Sequence, residues 1–130
     1  MLKRLEIKDV RWCELTLHLG LGTPIEVEDL SKHRMDAEDM NISKDTAQLI
    51  NSAIEEGRHV CAIGTTTMRA LESAVTIPGK IGSYEGGTNK FIYPPYEFSI
   101  ADSMVTNFHH PLSSQFIMVS AFGGSELIMK

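Results

Sequence analysis

One stretch narrows the folds open to this chain: Ile63-Gly64-Thr65-Thr66-Thr67-Met68-Arg69-Ala70-Leu71-Glu72. An apolar run at residues 60–63 leads into a glycine and three threonines, and a helical pattern with an arginine in its first turn follows at once. That order predicts a strand, a tight polar loop and a helix. Such a loop presents backbone N–H groups at a helix N-terminus, where partial positive charge collects. With hydroxyls and a guanidinium beside them, it suits a polar, partly anionic small molecule. The competing reading is an ordinary strand-to-helix connection with a threonine N-cap, Arg69 and Glu72 forming an i,i+3 surface pair.

The flanking segments extend this to an α/β chain of mixed α+β character, a mixed β-sheet flanked by helices. Residues 12–19 alternate strictly, Cys13, Leu15, Leu17 and Leu19 against Glu14, Thr16 and His18, which predicts a half-buried strand. The turn Gly20-Leu21-Gly22-Thr23 ends it, residues 25–29 read as a possible short strand, and residues 31–39 read as loop before a strand at 39–42. Ser43 is a good N-cap for a helix to Glu56, with Gly57 as its C′ residue. The run at 60–63 predicts a central strand covered on both faces. The next helix is expected to bury Met68, Leu71, Ala74 and Val75, with Arg69, Glu72 and Ser73 on its other side. Residues 78–89 are glycine-rich without periodicity and predict a long loop. Residues 91–93, 96–100 and 103–106 are short strand candidates. Pro111 suits the first position of a buried, nearly all-apolar helix that Gly123-Gly124 stops, and residues 125–128 begin another helix that the chain does not finish.

At 130 residues the length fits one domain. A hydrophobic fraction of 42% and a formal net charge of -5 suit a globular protein and argue against a nucleic-acid binder relying on its own basic surface. No apolar run approaches the ~20 residues of a membrane span, and Met1-Leu2-Lys3-Arg4 lacks a signal peptide's apolar stretch. Cys13 and Cys61 read as reduced core residues, so the expected location is the cytoplasm.

Three further polar clusters could carry chemistry. His33-Arg34-Met35-Asp36-Ala37-Glu38 gathers a histidine, an arginine and two carboxylates, but its spacing matches no zinc site, and a solvated loop explains it equally. In Thr106-Asn107-Phe108-His109-His110-Pro111, Asn107 could bond a base or ribose edge. His109 precedes a predicted helix N-terminus that favours neutral imidazole, and hence a base. Plain helix capping is the alternative. The Gly20-Leu21-Gly22-Thr23 turn is too generic to be read as a phosphate loop.

Together these segments resemble one family, the S-adenosylmethionine:tRNA ribosyltransferase-isomerases of queuosine biosynthesis. The matching stretches run in the family's order: residues 15–23; His33-Arg34-Met35 with Glu38; Ile63-Gly64-Thr65-Thr66 with Arg69, Leu71 and Glu72; Phe91-Ile92-Tyr93-Pro94; Thr106-Asn107-Phe108-His109 with Pro111 and Ser114; and Val119-Ser120-Ala121-Phe122 with Gly124. The family commonly has histidine at Asp36, leucine at His110, serine at Thr67 and phenylalanine at Pro24, so the chain reads as a divergent branch. The resemblance implies a partial catalytic domain of a larger two-domain enzyme, whose N-terminal region with an inserted β-barrel and C-terminal segment lie outside residues 1–130.

The implied reaction moves the ribosyl part of S-adenosylmethionine onto 7-aminomethyl-7-deazaguanine in the tRNA anticodon, gives epoxyqueuosine, and needs no metal. Carried onto this sequence, Gly64, Thr65, Thr66 and Arg69 would hold the methionine carboxylate or ribose hydroxyls. Thr106 and Asn107 would position substrate, and His109 would be the acid–base group, with His33 and Glu38 as rivals. The alternatives are a non-catalytic S-adenosylmethionine or nucleotide module on the same scaffold, and a plain interaction domain.

Overall fold

The chain begins with a short helix, α1 (Leu2–Ile7), that has no buried side chain. The computed structural model describes residues 1–20 and 26–128; most of the Gly20–Thr23 turn, the first residue of the possible strand at 25–29, and Pro24 lie outside the described residues. Two ion pairs tie the segment after α1 to the body: Arg58 to Asp9 at 2.8 Å and Arg11 to Glu56 at 2.6 Å.

The strand expected over residues 12–19 is reduced to β1 (Thr16–Leu17), which pairs antiparallel with β2 (Glu38–Ile42). The reason lies just upstream, where the Glu14 carbonyl accepts a hydrogen bond from Thr46 Oγ1 at 2.9 Å instead of from a neighbouring strand. α2 (Lys44–Glu55) forms as predicted, with Ser43 Oγ accepting from the Thr46 N–H at 3.1 Å and Gly57 following in the left-handed region.

β3 (Cys61–Ile63) feeds α3 (Thr65–Ser73) as expected, but it is not covered on both faces. Ala62 is buried, whereas Cys61 and Ile63 are exposed. The open face borders a groove of about 690 Å³, lined among others by Trp12, Cys13, Ile50, Cys61 and Ile63. Cys13 and Cys61 are therefore exposed free thiols, not core residues.

The expected loop at 78–89 contains β-structure. β4 (Val75–Ile77) and β5 (Lys80–Ile81) form a hairpin, and β6 (Tyr84–Thr88) pairs antiparallel along the whole of β2. Gly86 and Gly87 carry no side chains to show a two-residue period, and the Tyr84 hydroxyl bonds back to the Gly87 carbonyl at 2.8 Å. Residues 91–93 and 96–100 are not strands. Pro94 and Pro95 have no N–H to give, and the Ser99 and Ile100 amides go to the Glu72 carboxylate.

β7 (Ser103–Val105) pairs parallel with β3, Ile63 opposite Val105. α4 (Ser114–Gly123) starts later than Pro111 because Leu112 has φ +64, which no right-handed helix contains; Ser113 is its N-cap. It buries Ile117, Met118 and two serines, and its remaining side chains are partly exposed, so it is less enclosed than expected. α5 (Ser125–Ile128) ends the described chain.

The content is thus mixed α/β as expected, with the strands divided into an antiparallel three-stranded sheet (β1-β2-β6), a parallel pair and a hairpin. One core joins them through Met40, Ile42, Ile50, Met68, Leu71, Ile92 and Met118. Burial of each such side chain contributes about 1.5–3 kcal/mol.

Candidate functional site

The site grows from the parallel pair. In open α/β sheets ligands bind beyond the carboxyl ends of parallel strands, and here those ends are Ile63 and Val105. Gly64 follows Ile63 with φ +98 and ψ 147, a conformation essentially restricted to glycine. Its N–H donates to the Val105 carbonyl at 2.8 Å. That bond sets the Thr65–Thr66 turn beside the Thr106–Asn107 turn, although the two are far apart in sequence.

α3 then starts without a side-chain cap among the described residues. The Thr67 hydroxyl instead donates to the Ile63 carbonyl at 2.7 Å. Thr65 is buried and Thr66 partly so. A small cavity opens at this helix start, lined by Thr65, Thr66, Arg69, Lys90, Phe91 and Ser114 among others. Lys90 carries no signal in the sequence, because a lone lysine in an aperiodic segment looks like any solvated one. Its Nζ donates to the Glu72 carbonyl at 3.0 Å and lies 5.6 Å from the centre of the Tyr96 ring.

Arg69 and Glu72 do not form a surface pair, nor do they lie on an exposed face of α3: their exposures are 4% and 2%. Arg69 makes an ion pair with Glu38 of β2. Burial lowers the pKa of its guanidinium from the ordinary value, and it stays charged because that value is so high. Glu38 Oε1 also accepts from the Gly20 N–H at 2.6 Å. Glu72 accepts from the Ser99 and Ile100 amides at 3.0 and 3.1 Å and from the Tyr96 hydroxyl at 3.1 Å. Burial first, and the Glu72 charge second, push the Tyr96 phenol well above its ordinary pKa.

His109 is partly buried, with Nε2 2.9 Å from Thr106 Oγ1. Burial lowers its pKa, favouring neutral imidazole as expected, but the cause is burial and not the helix start, since α4 begins only at Ser114. Asn107 is exposed, its Oδ1 accepting from the Phe108 N–H at 2.8 Å. His33 packs its ring on Phe91 at 4.8 Å between centroids. The structure thus gathers Thr65, Thr66 and Arg69 at one cavity, with Glu38 behind Arg69 and His33 reaching it through Phe91. Thr106, Asn107 and His109 lie beside it along the strand ends, not in its wall. Among the described residues no three His, Cys, Asp or Glu side chains converge on one point as metal ligands.

Fold and site together define an α/β protein whose polar groups cluster where a parallel strand pair meets an uncapped helix start. The chain belongs to the queuosine biosynthesis protein family, whose pattern it matches over residues 1–130. It is 55% identical over 131 aligned residues to an S-adenosylmethionine:tRNA ribosyltransferase-isomerase of Parabacteroides distasonis, covering 99% of this chain and 38% of that protein. It is 51% identical to the enzyme of the same name from Flavobacterium psychrophilum, over 98% of this chain and 37% of the relative. The crystal structure of S-adenosylmethionine tRNA ribosyltransferase from Thermotoga maritima superposes with a TM-score of 0.78 at 34% identity, covering 98% of this chain and 40% of that one. The chain therefore spans under half the length of the relatives it matches.

Proposed function

We propose that this chain supplies part of the catalytic domain of an S-adenosylmethionine:tRNA ribosyltransferase-isomerase. The enzyme it belongs to transfers the ribosyl moiety of S-adenosylmethionine to 7-aminomethyl-7-deazaguanine in the tRNA anticodon and isomerises it to the epoxycyclopentanediol of epoxyqueuosine. The observation that carries the reading is the family match along residues 1–130. Support comes from the cavity at the start of α3, where Thr65, Thr66 and Arg69 meet.

In this reading Thr65 and Thr66 offer N–H groups and hydroxyls, and Arg69 a buried positive charge, to the methionine carboxylate or ribose hydroxyls of S-adenosylmethionine. A proton must leave the carbon beside the sulfonium, whose charge acidifies it. His109, held neutral by burial, is the acid–base group, and Asn107 and Thr106 position substrate next to it. His33, on the aromatic stack with Phe91, is the rival base. Glu38 is the weaker rival, since its carboxylate already serves Gly20 and Arg69. Adenine and methionine leave, and no metal enters the scheme. The tRNA surface is supplied by other segments, consistent with a net charge of -5 here. No helix among the described residues is long and apolar enough to cross a membrane, and the proposed location is the cytoplasm.

The test is adenine release by the complete gene product containing this chain, given S-adenosylmethionine and tRNA bearing the precursor base. Adenine formation only when both substrates are present supports the transferase. Binding of S-adenosylmethionine without adenine formation shows a non-catalytic module, and absence of binding rejects both. The 130-residue chain alone is expected to show no turnover, because a site shared with other segments is not preorganised without them.

A further inference from the structure

Glu38 is almost wholly buried, yet it belongs to the antiparallel sheet and not to the parallel pair that feeds α3. Its carboxylate joins three pieces of chain. Oε1 accepts the Gly20 N–H at 2.6 Å, three residues beyond β1. Oε2 faces the Arg69 guanidinium at the start of α3. Gly20 lies against this carboxylate, and a Cβ there would sit in ordinary contact 3.4 Å from Glu38 Oε1. Arg69 in turn lines the cavity, and its Nε has no hydrogen-bond partner among the described residues. A guanidinium is planar and rigid, so holding one of its amino groups sets the direction of the rest. A buried N–H left without a partner is costly unless something fills the place.

We infer that Glu38 is a positioning residue that clamps Gly20 on one oxygen and Arg69 on the other, so that Arg69 meets an incoming carboxylate in one orientation. The inference rests on the reading of the α3 cavity as an S-adenosylmethionine site, and it assigns Glu38 a role other than proton transfer. A carboxylate that took up a proton here would leave the buried Arg69 without its counter-charge. In this role Glu38 acts on the substrate only through Arg69.

Glu38→Gln in the complete gene product tests this, because glutamine keeps an oxygen for Gly20 and removes the charge facing Arg69. The expected result is a KM and Kd for S-adenosylmethionine raised about tenfold or more, kcat at saturation within about threefold of wild type, and an unchanged pH profile. A fall in kcat of about 10²–10⁴-fold with loss of the acidic limb of the profile would make Glu38 the proton-transfer group and overturn the inference. A lower Tm with unchanged KM and kcat would also overturn it, leaving only a structural role. If Glu38→Gln does not fold, Arg69→Lys carries the same comparison, since it keeps the charge and loses the planar fork. A KM rise supports the clamp, and an unchanged KM rejects it.

A second measurement stands apart from substrate. By NMR, the Gly20 amide and the Arg69 Nε–H are expected to exchange with solvent at least about tenfold faster in Glu38→Gln than in wild type. Unchanged exchange rejects the clamp. If wild-type protein does not bind S-adenosylmethionine, the proposed function fails, and the exchange rates still decide whether Glu38 holds Gly20 and Arg69.

Discussion

Gly64 donates its backbone N–H to the carbonyl of Val105 at 2.8 Å, and this bond joins the first residue after β3 to the last residue of β7. It needs Gly64 at φ +98, where an added Cβ would meet nothing nearer than Thr66 Oγ1 at 3.6 Å. The obstacle to a side chain is therefore backbone conformation and not space. Gly64→Ala should cost about 1–3 kcal/mol. In urea the midpoint should fall with the m-value unchanged. A stability equal to wild type would mean that alanine adopts this φ freely, and the Gly64–Val105 link would lose its importance for placing the two turns.

How far the sequence was legible depends on what each segment's side chains had to reveal. Ser43 and Gly57 bracket α2 because capping is local chemistry, visible in a few residues. The strand–loop–helix at Gly64 was legible for the same reason. β6 was invisible because Gly86 and Gly87 leave no pattern, and its existence depends on pairing with β2, distant in sequence. The buried state of Arg69 and Glu72 was also hidden. Both partners of those charges, Glu38 and the amides at residues 99 and 100, come from elsewhere in the chain. The open face of β3 inverts the usual rule that a continuous apolar strand is covered on both sides. Around the candidate cavity, the threonine turn and Arg69 have a local pattern that the sequence displays, whereas Lys90 and the Gly20–Glu38 contact emerge only from the fold.

Glu72 replaces a missing strand for the segment at residues 96–100. One of its oxygens takes two backbone N–H groups and the other takes the Tyr96 hydroxyl. Glu72→Ala strands two amides, one of them fully enclosed, at about 1–3 kcal/mol for each unsatisfied group. Glu72→Gln keeps one acceptor oxygen for them, and its amide can donate to the Tyr96 oxygen, so its loss should be well under half that of alanine. Chemical denaturation of the two variants makes the comparison. Equal losses would mean that the charge matters and the acceptor geometry does not. Glu72→Gln should also lower the phenol pKa of Tyr96, because the Glu72 charge is one of the causes of its rise. Ultraviolet titration of the tyrosines reads that change.

The Glu38–Arg69 pair should be costly to break and cheap to replace. Removing one partner of a buried ion pair leaves an uncompensated charge, at about 3–5 kcal/mol. Arg69→Met alone and Glu38→Leu alone should each show losses in that range. The joint variant should lose far less than the sum of the two single losses, since apolar replacements of a buried pair are often neutral. Simple additivity in the double-mutant cycle would show that the two side chains do not share one energetic unit. The joint variant would also separate stability from binding, being folded yet without the Arg69 guanidinium at the α3 cavity.

His109 gives the protein a pH dependence of known sign. Burial lowers its pKa in the folded state below the ordinary value near 6.5. Between those two values the unfolded chain binds the proton and the folded chain does not, so acid favours unfolding. The stability contributed by the neutral imidazole is therefore complete above about pH 6.5 and is lost as the pH falls through the folded-state value. His109→Asn cannot be protonated in this range and can still reach Thr106 Oγ1. Its Tm should decline less steeply than that of wild type as the pH is lowered from about 7 to 5. In the complete gene product the same substitution should remove the acidic limb of the kcat profile, with a fall in rate of about 10²–10⁴-fold. A Tm profile parallel to wild type would show that His109 is not the group titrating in the fold. An unchanged rate with intact S-adenosylmethionine binding would transfer the base role to His33, whose ring rests on Phe91 at the edge of the α3 cavity.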